Sequence, residues 1–368
     1  MSKLRVLHVD PERGFGGGET QVLALARHLA DAGHEVLVAA HPDGALAQRI
    51  EGRGITVLPL LCRFGHDPVA GLALRRAVAE RAPDVVHLHT SRALSLAPFV
   101  PGRIVQIVTR RMDYAPRGAG PYVRWLYGRM DAVIAISRAA RAALVERGIA
   151  AASVEIVSSG VDTARFQGLD AASARPDLGI ARDERVLAIV ASLHERKGHA
   201  VLLEALALLA RDGVAPLCLA AGTGPEGQAL QDLATRLGVG TRLRWLGQLR
   251  DVRTVLAAAD VVVMPSLAEG LGVAAIEAMA AGRAVVASAV GGLPELIDDG
   301  VQGLLVAPRD PTALAAALRR CLDDGELRAR LGAAGQIRAE AFSTAAMARG
   351  TEAVYQRALA ARSAKRRR

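Results

Sequence analysis

The chain has 368 residues, 51% hydrophobic, 23% charged and 3% aromatic, which excludes a disordered chain and exceeds the roughly 250–300 residues that one core supports, so two domains are expected. The net charge of +9 is localised, with nine basic and three acidic side chains in residues 103–147 and five basic ones in the last eight residues. Such a patch attracts anionic partners such as phosphates or a membrane surface, or is a solvated face with a frayed basic tail. No apolar run reaches the roughly 18–20 residues of a membrane span. Cys62, Cys218 and Cys321 stand apart, giving neither a disulfide framework nor a zinc pair, so a reducing cytoplasm is expected. No nucleic-acid partner is expected.

A strand is predicted at Leu4–Asp10, close enough to the first residue that no signal peptide is expected. A glycine-rich turn, Gly14–Gly18, and an amphipathic helix, Glu19–Ala32, follow it. Further buried strands are predicted at His34–Ala40, Asp84–His89, Ile104–Thr109 and Ala132–Ser137. After Ser158–Asp162 the pattern restarts. Strands are predicted at Val186–Ser192, Pro216–Ala221, Leu243–Leu246, Val261–Met264, Ala284–Ala287 and Gly303–Val306, with helices between them. Short apolar runs alternating with longer helices indicate parallel βαβ units. The expected architecture is α/β: two doubly wound domains, 1–160 and 161–342, facing each other across a cleft, with a C-terminal helix and basic tail in 343–368. Open parallel sheets bind ligands beyond the carboxyl ends of their strands.

The strongest chemical signal is Glu269-Gly270-Leu271-Gly272-Val273-Ala274-Ala275-Ile276-Glu277, after the strand Val261–Met264 and at a helix start. The glycines let backbone approach a ligand. The helix N-terminus offers free N–H groups and a positive dipole end to phosphate. The two carboxylates suit hydroxyl groups, one of a sugar and one of a ribose. A bare acidic loop before a helix is the alternative. Arg196 and Lys197 lie beyond the carboxyl end of a strand, where fixed cations stabilise the charge that develops on a departing nucleoside diphosphate. His87 and His89 end another buried strand.

These motifs resemble those of the retaining glycosyltransferases of family four, with the GT-B fold of two Rossmann-like domains. Glu269–Glu277 matches the E-x7-E signature, Gly16-Gly17-Gly18-Glu19 the N-terminal glycine loop, Arg196-Lys197-Gly198 the basic stretch and Gly291-Gly292-Leu293-Pro294-Glu295 the later glycine loop. The resemblance implies that Glu277 binds the donor ribose and Glu269 the transferred sugar. It implies that Leu271, Gly272 and Val273 line the sugar and diphosphate, and that Gly16 and Gly17 meet the diphosphate and the acceptor. His87 and His89 become acceptor-side candidates. Arg110 and Arg111 stand where many members carry a histidine, which points to an acidic or phosphorylated acceptor. The resemblance also implies that the helix near Thr344–Ala360 returns to the first domain.

With no Asp-x-Asp and no zinc-spaced cluster, neither metal nor cofactor is expected. The nucleotide-diphosphate sugar is a substrate. The implied reaction is front-face transfer to a cell-envelope glycan or glycolipid, such as lipopolysaccharide or exopolysaccharide. The segment Pro116–Met130 interleaves Tyr122, Trp125 and Tyr127 with Arg117, Arg124 and Arg129. It reads either as a surface helix or as a contact with an anionic inner membrane face. Two rivals stand beside this reading. Gly222-Thr223-Gly224-Pro225-Glu226-Gly227 is a literal GxGxxG and raises a nicotinamide-dependent oxidoreductase, but the strand Leu243–Leu246 that follows ends without the required acid. The other rival is a non-catalytic relative that only binds sugar nucleotides.

Overall fold

The structure is a computed structural model and describes residues 3–14, 16–50, 54–111 and 120–366. It divides into two compact units, Met1–Gly160 with Thr344–Arg368, and Val161–Ser343.

The first unit holds β1 (Arg5–Asp10), β2 (Glu35–Ala40), β3 (Ile55–Pro59), β4 (Val85–Leu88), β5 (Val105–Arg110), β6 (Ala132–Ala135) and β7 (Val154–Ile156). They form one sheet in the order β3-β2-β1-β4-β5-β6-β7, with parallel pairing throughout. Val- and Ile-rich central strands are buried because helices cover both faces. β3 and β7 are additions to the predicted strands. Both lie at the edges and are partly exposed, so neither carries a continuous apolar run. The helix Gly17–Asp31 begins inside the glycine run, with Gly16 as its N-cap and Glu19 Oε2 accepting from the Gly16 amide at 2.7 Å. Gly33, at φ +90°, turns the chain into β2. The C-terminal helix Thr344–Arg366 packs Met347, Val354 and Tyr355 into the same core as Val22, Leu29, Ile107 and Ile134.

The second unit holds β8 (Val186–Val190), β9 (Leu217–Ala221), β10 (Leu243–Gly247), β11 (Val261–Met264), β12 (Ala284–Ser288) and β13 (Leu304–Val306). The order is β10-β9-β8-β11-β12-β13, again parallel. The helices His199–Arg211 and Pro311–Asp323 bury Leu202, Leu206, Leu314 and Leu318 in the core of this unit. In each sheet the chain runs outward in one direction and then reverses, between β1 and β4 and between β8 and β11. At such a reversal two crossovers leave in opposite directions and open a crevice beyond the strand ends. The candidate chemistry of each unit lies at its reversal.

Candidate functional site

In the second unit, the loop after β8 meets the loop after β11. Gly198 adopts φ +70°, and a Cβ there would lie 1.8 Å from the Pro265 carbonyl oxygen, so only glycine fits where the loops cross. The Leu267 amide donates to the Arg196 carbonyl at 2.8 Å. This locking brings Lys197 Nζ to 2.6 Å from Glu269 Oε2, with the side chains only 14% and 10% exposed. Ser266 Oγ donates to the same oxygen at 3.1 Å. Two residues that the sequence suggests for phosphate and sugar are therefore joined in a largely buried ion pair.

Gly272, at φ +102°, is the N-cap of the helix Val273–Ala280. Behind it, the Gly292 amide donates to the Glu269 carbonyl at 3.1 Å. A Cβ on Gly292 would come within 2.6 Å of Leu271 Cα, so the Gly291–Glu295 loop acts as a backing for the Gly270–Gly272 loop. The Leu271 side chain is buried, leaving backbone rather than side chain for a ligand. Glu277 lies one turn into the helix. Burial pushes its carboxyl up to about 7, against the pull of Arg165. Arg165 also pairs with Asp251 at 3.8 Å. His199, just past Gly198, is buried with neither ring nitrogen partnered among the described residues, and burial and then Lys197 hold its pKa down to about 4. The GxGxxG glycines have a packing explanation. A Cβ on Gly222 would lie 1.9 Å from the Ala191 carbonyl oxygen, and one on Gly224 would lie 2.4 Å from that of Leu193.

In the first unit, β1 pairs with β4 so that His8 stands beside His87, and His87 stands beside Ile107 of β5. Side chains alternate along strands, so His8, Asp10, His87, His89, Thr109 and Arg111 fall on one face. His87 bridges the Tyr355 hydroxyl and Thr109 Oγ1, both at 2.7 Å. His8 Nδ1 is 2.9 Å from His89 Nε2, and Arg111 Nη2 is 3.0 Å from His89 Nδ1. Burial holds the His8 imidazole down to about 3, with Arg111 adding to the effect, and lowers His87 and His89 well below the usual range. These surroundings favour the neutral form of all three rings. A cavity of about 10 Å³, lined by Gln21, His87, His89, Thr109, Arg111 and Ser159 among others, has room for one water-sized group.

Arg110 falls on the opposite face, close enough to Tyr127 to pull down a phenol pKa that burial raises. The Arg110–Arg111 pair is thus split, and Arg111 alone joins the histidines. The Arg111 stem lies against Gly18, 3.8 Å from where a Cβ would stand, whereas a Cβ on Gly17 would meet no described atom within 4 Å. Phe15, Pro116 and Arg117 lie outside the described residues. His8, Asp10 and Tyr355 were not singled out by sequence reasoning. Strand alternation ties Asp10 to His8, but only the sheet order places His8 beside His87.

Two family models match: "Glycosyltransferase Family 4" over residues 15–165 and "Glycosyl transferases group 1" over 170–338. The chain is 33% identical to a D-inositol 3-phosphate glycosyltransferase of Frankia alni, over 95% of this chain and 97% of the relative. It is 39% identical to one of Streptomyces avermitilis, over 59% of this chain and 48% of the relative. Anabaena Alr3699/HepE in complex with UDP-glucose superposes with a TM-score of 0.84 and 25% identity, covering 96% of this chain and all of that one. A Rickettsia africae glycosyltransferase shares the fold, with a TM-score of 0.86 at 19% identity over 98% of this chain and 99% of that one. Parallel sheets with this strand order, both family matches and a relative aligned over nearly its whole length lead to one conclusion: the chain is a glycosyltransferase of family four, with the GT-B fold.

Proposed function

We propose that the enzyme transfers a sugar from a uridine diphosphate sugar to a hydroxyl of a polyol-containing acceptor, with retention at the anomeric carbon. The observation that carries this reading is the Lys197–Glu269 pair beside Arg196 and the N-terminus of the helix Val273–Ala280. UDP-glucose in the Anabaena structure supports the donor class. The name of the Frankia relative supports a phosphorylated cyclitol as acceptor. A cell-envelope glycan or glycolipid belongs to the same hydroxyl-bearing class.

In this reading the bond from the anomeric carbon to the diphosphate oxygen breaks as the acceptor oxygen bonds to the same face of that carbon. The acceptor proton passes to the departing phosphate oxygen. Arg196, Lys197 and the free amides of Val273 and Ala274 stabilise the charge on the diphosphate. Glu277 accepts from the ribose hydroxyls, and Glu269 accepts from the transferred sugar. In the first unit, Gly16 and Gly17 are the proposed backbone contacts, and His87, His89 and Arg111 stand on the acceptor side. No metal is required, because side-chain cations and a helix N-terminus supply the positive charge. The proposed setting is cytoplasmic, with peripheral attachment to the inner membrane face. No helix among the described residues is long and apolar enough to cross a membrane.

The direct test incubates the enzyme with UDP-, GDP- and ADP-sugars, with and without inositol 3-phosphate, and follows the anomeric proton by NMR. A glycoside with the anomeric configuration of the donor supports the reading. An inverted product would refute retention, and release of free sugar alone would point to a hydrolase.

A further inference from the structure

Buried polar groups at the reversal between β1 and β4 specify a ligand class. A guanidinium donates hydrogen bonds and accepts none. Arg111 Nη2 faces His89 Nδ1, so that nitrogen carries the lone pair and the His89 proton sits on Nε2. That proton points to His8 Nδ1, which places the His8 proton on its own Nε2. The order Arg111 to His89 to His8 is therefore fixed in one direction. Three groups at this end of the sheet stay unsatisfied among the described residues. Arg111 Nε and His8 Nε2 are buried without a partner, and so is Asp10 Oδ2, although Asp10 Oδ1 takes the Glu12 amide at 3.3 Å. Asp10 is 1% exposed. Asp10 and Arg111 are close enough to act on each other's charge, and Glu19 acts on both.

An unsatisfied buried carboxyl, pushed up to about 7 chiefly by burial, and unsatisfied guanidinium and imidazole nitrogens each cost free energy that a bound ligand recovers. An anion is opposed by Asp10 and Glu19. A cation is opposed by Arg111. One nitrogen from each of His8, His87 and His89 lies within 4.8 Å of the others, a spacing that suits a divalent ion. However, the His89 lone pair is committed to Arg111 and its other nitrogen carries a proton, so this arrangement offers the ion no complete set of lone pairs. A hydroxyl both donates and accepts, and so fits the carboxyl and the two N–H donors. The adjoining cavity, lined by Arg111 but not by Asp10, has room for one such group.

We propose that Asp10 and Arg111 form a hydroxyl-binding pair for a polyol, Asp10 Oδ2 accepting from one hydroxyl and Arg111 donating to the same or a neighbouring oxygen, with His89 and His8 positioning the guanidinium. This rests on the transferase reading for its biological meaning. The physical claim is independent of the donor. Neighbouring hydroxyls on a cyclitol or sugar ring match the paired donor and acceptor, and inorganic phosphate does not.

The test is ligand-detected NMR on the full chain with myo-inositol, inositol 3-phosphate and inorganic phosphate, alongside calorimetric titration with UDP. Wild type should bind both inositols. Asp10→Ala and Arg111→Gln should weaken that binding at least tenfold. Asp10→Asn, which keeps the shape, should fall between them and wild type and guards against misfolding. His89→Leu should resemble Arg111→Gln. His89→Gln should recover much of the affinity, because its amide can accept from Arg111 and donate to His8. UDP affinity should stay within twofold throughout. Absence of inositol binding by wild type would overturn the proposal. So would affinities that ignore Asp10 and Arg111, or displacement of inositol by inorganic phosphate. Failure of UDP to bind wild type would instead count against the donor assignment, leaving the polyol titrations to be read by themselves.

Discussion

Lys197 Nζ and Glu269 Oε2 lie 2.6 Å apart in a pair with little solvent exposure, so the cation proposed for the diphosphate is held by the carboxylate proposed for the sugar. Neither charge is a free agent in this geometry. Removing one partner leaves the other desolvated. Lys197→Met should lower unfolding free energy on the order of 3 kcal/mol. Glu269→Gln should cost less, since Ser266 can still donate to its side chain. The double variant Lys197→Met/Glu269→Gln should cost clearly less than the two singles together. Urea unfolding of the four proteins tests this, and strict additivity would show that the pair contributes no coupling.

Glu277 would give the proposed donor site a pH dependence whose sign follows from its raised pKa. Its folded-state pKa is raised from 4.5 to about 7, chiefly by burial. Between those values the folded chain keeps a proton that the unfolded chain has released. This residue therefore lowers stability as pH rises through that window, by at most about 3 kcal/mol, and the loss levels off above pH 7. Accepting from ribose hydroxyls requires the carboxylate, so UDP affinity should rise from pH 6 to pH 8. Glu277→Gln should flatten that rise, weaken UDP at pH 8 by roughly 1.5–3 kcal/mol, and be more stable than wild type at pH 8 but not at pH 5. Calorimetry and thermal melts at the three pH values decide the matter. A UDP affinity in wild type that is flat across pH would remove Glu277 from the ribose.

The second unit was nearly all legible because its strands are short apolar runs separated by helices with glycine at their ends. In the first unit, β3 and β7 were not legible. They are edge strands that alternate or fray, with no buried run to mark them. The acidic motif was visible as Glu269 and Glu277, since both lie in one local stretch. The partner of Glu269 was not, because Lys197 lies 72 residues away and reaches it only through the adjacency of β8 and β11. The same holds for His8 and His89, which are 81 residues apart. Spacing rules for metal clusters read local sequence, so three histidines drawn from two neighbouring strands escape them. The split between Arg110 and Arg111 follows from alternation along β5 and is readable once the strand end is known.

The proposed independence of metal has a simple check. Arg196, Lys197 and the helix N-terminus at Val273 provide the positive charge that a divalent ion would otherwise bring to a diphosphate. Transfer should survive millimolar EDTA with less than a twofold change. Arg196→Ala should cost about 10²–10³ in kcat, the range found for lost electrostatic stabilisation at a reacting centre. If activity vanished with EDTA and returned with Mg²⁺ or Mn²⁺, the charge assignment would be wrong.

The proposed membrane attachment would use a surface that the fold enlarges beyond the predicted segment. The helix Pro121–Gly128 buries Leu126 and Tyr127 and turns Tyr122 and Trp125 outward, 44% and 49% exposed. Arg129 lies over the Trp125 ring, 5.2 Å from its centroid. The Tyr122 hydroxyl meets His66 Nδ1 at 3.0 Å, which ties this helix to the loop that exposes Leu61 and Phe64. Aromatic and apolar side chains beside arginines suit the boundary between headgroups and acyl chains. Arg117 and the side chains of Lys365–Arg368 lie outside the described residues, so the testable part is the helix and the loop. Trp125→Ala and Phe64→Ser should each reduce recovery on anionic vesicles at both low and high salt, because their contribution is apolar. Arg124→Ala and Arg129→Ala should reduce it mainly at low salt. Each cation contributes about 1 kcal/mol near such a surface, and its reach is screened to about 3 Å at 1 M ionic strength. The combined aromatic and arginine variants should sediment no better than background. Equal recovery of wild type on neutral and anionic vesicles would sink the electrostatic half of the idea, and recovery unchanged by Trp125→Ala and Phe64→Ser would sink the apolar half.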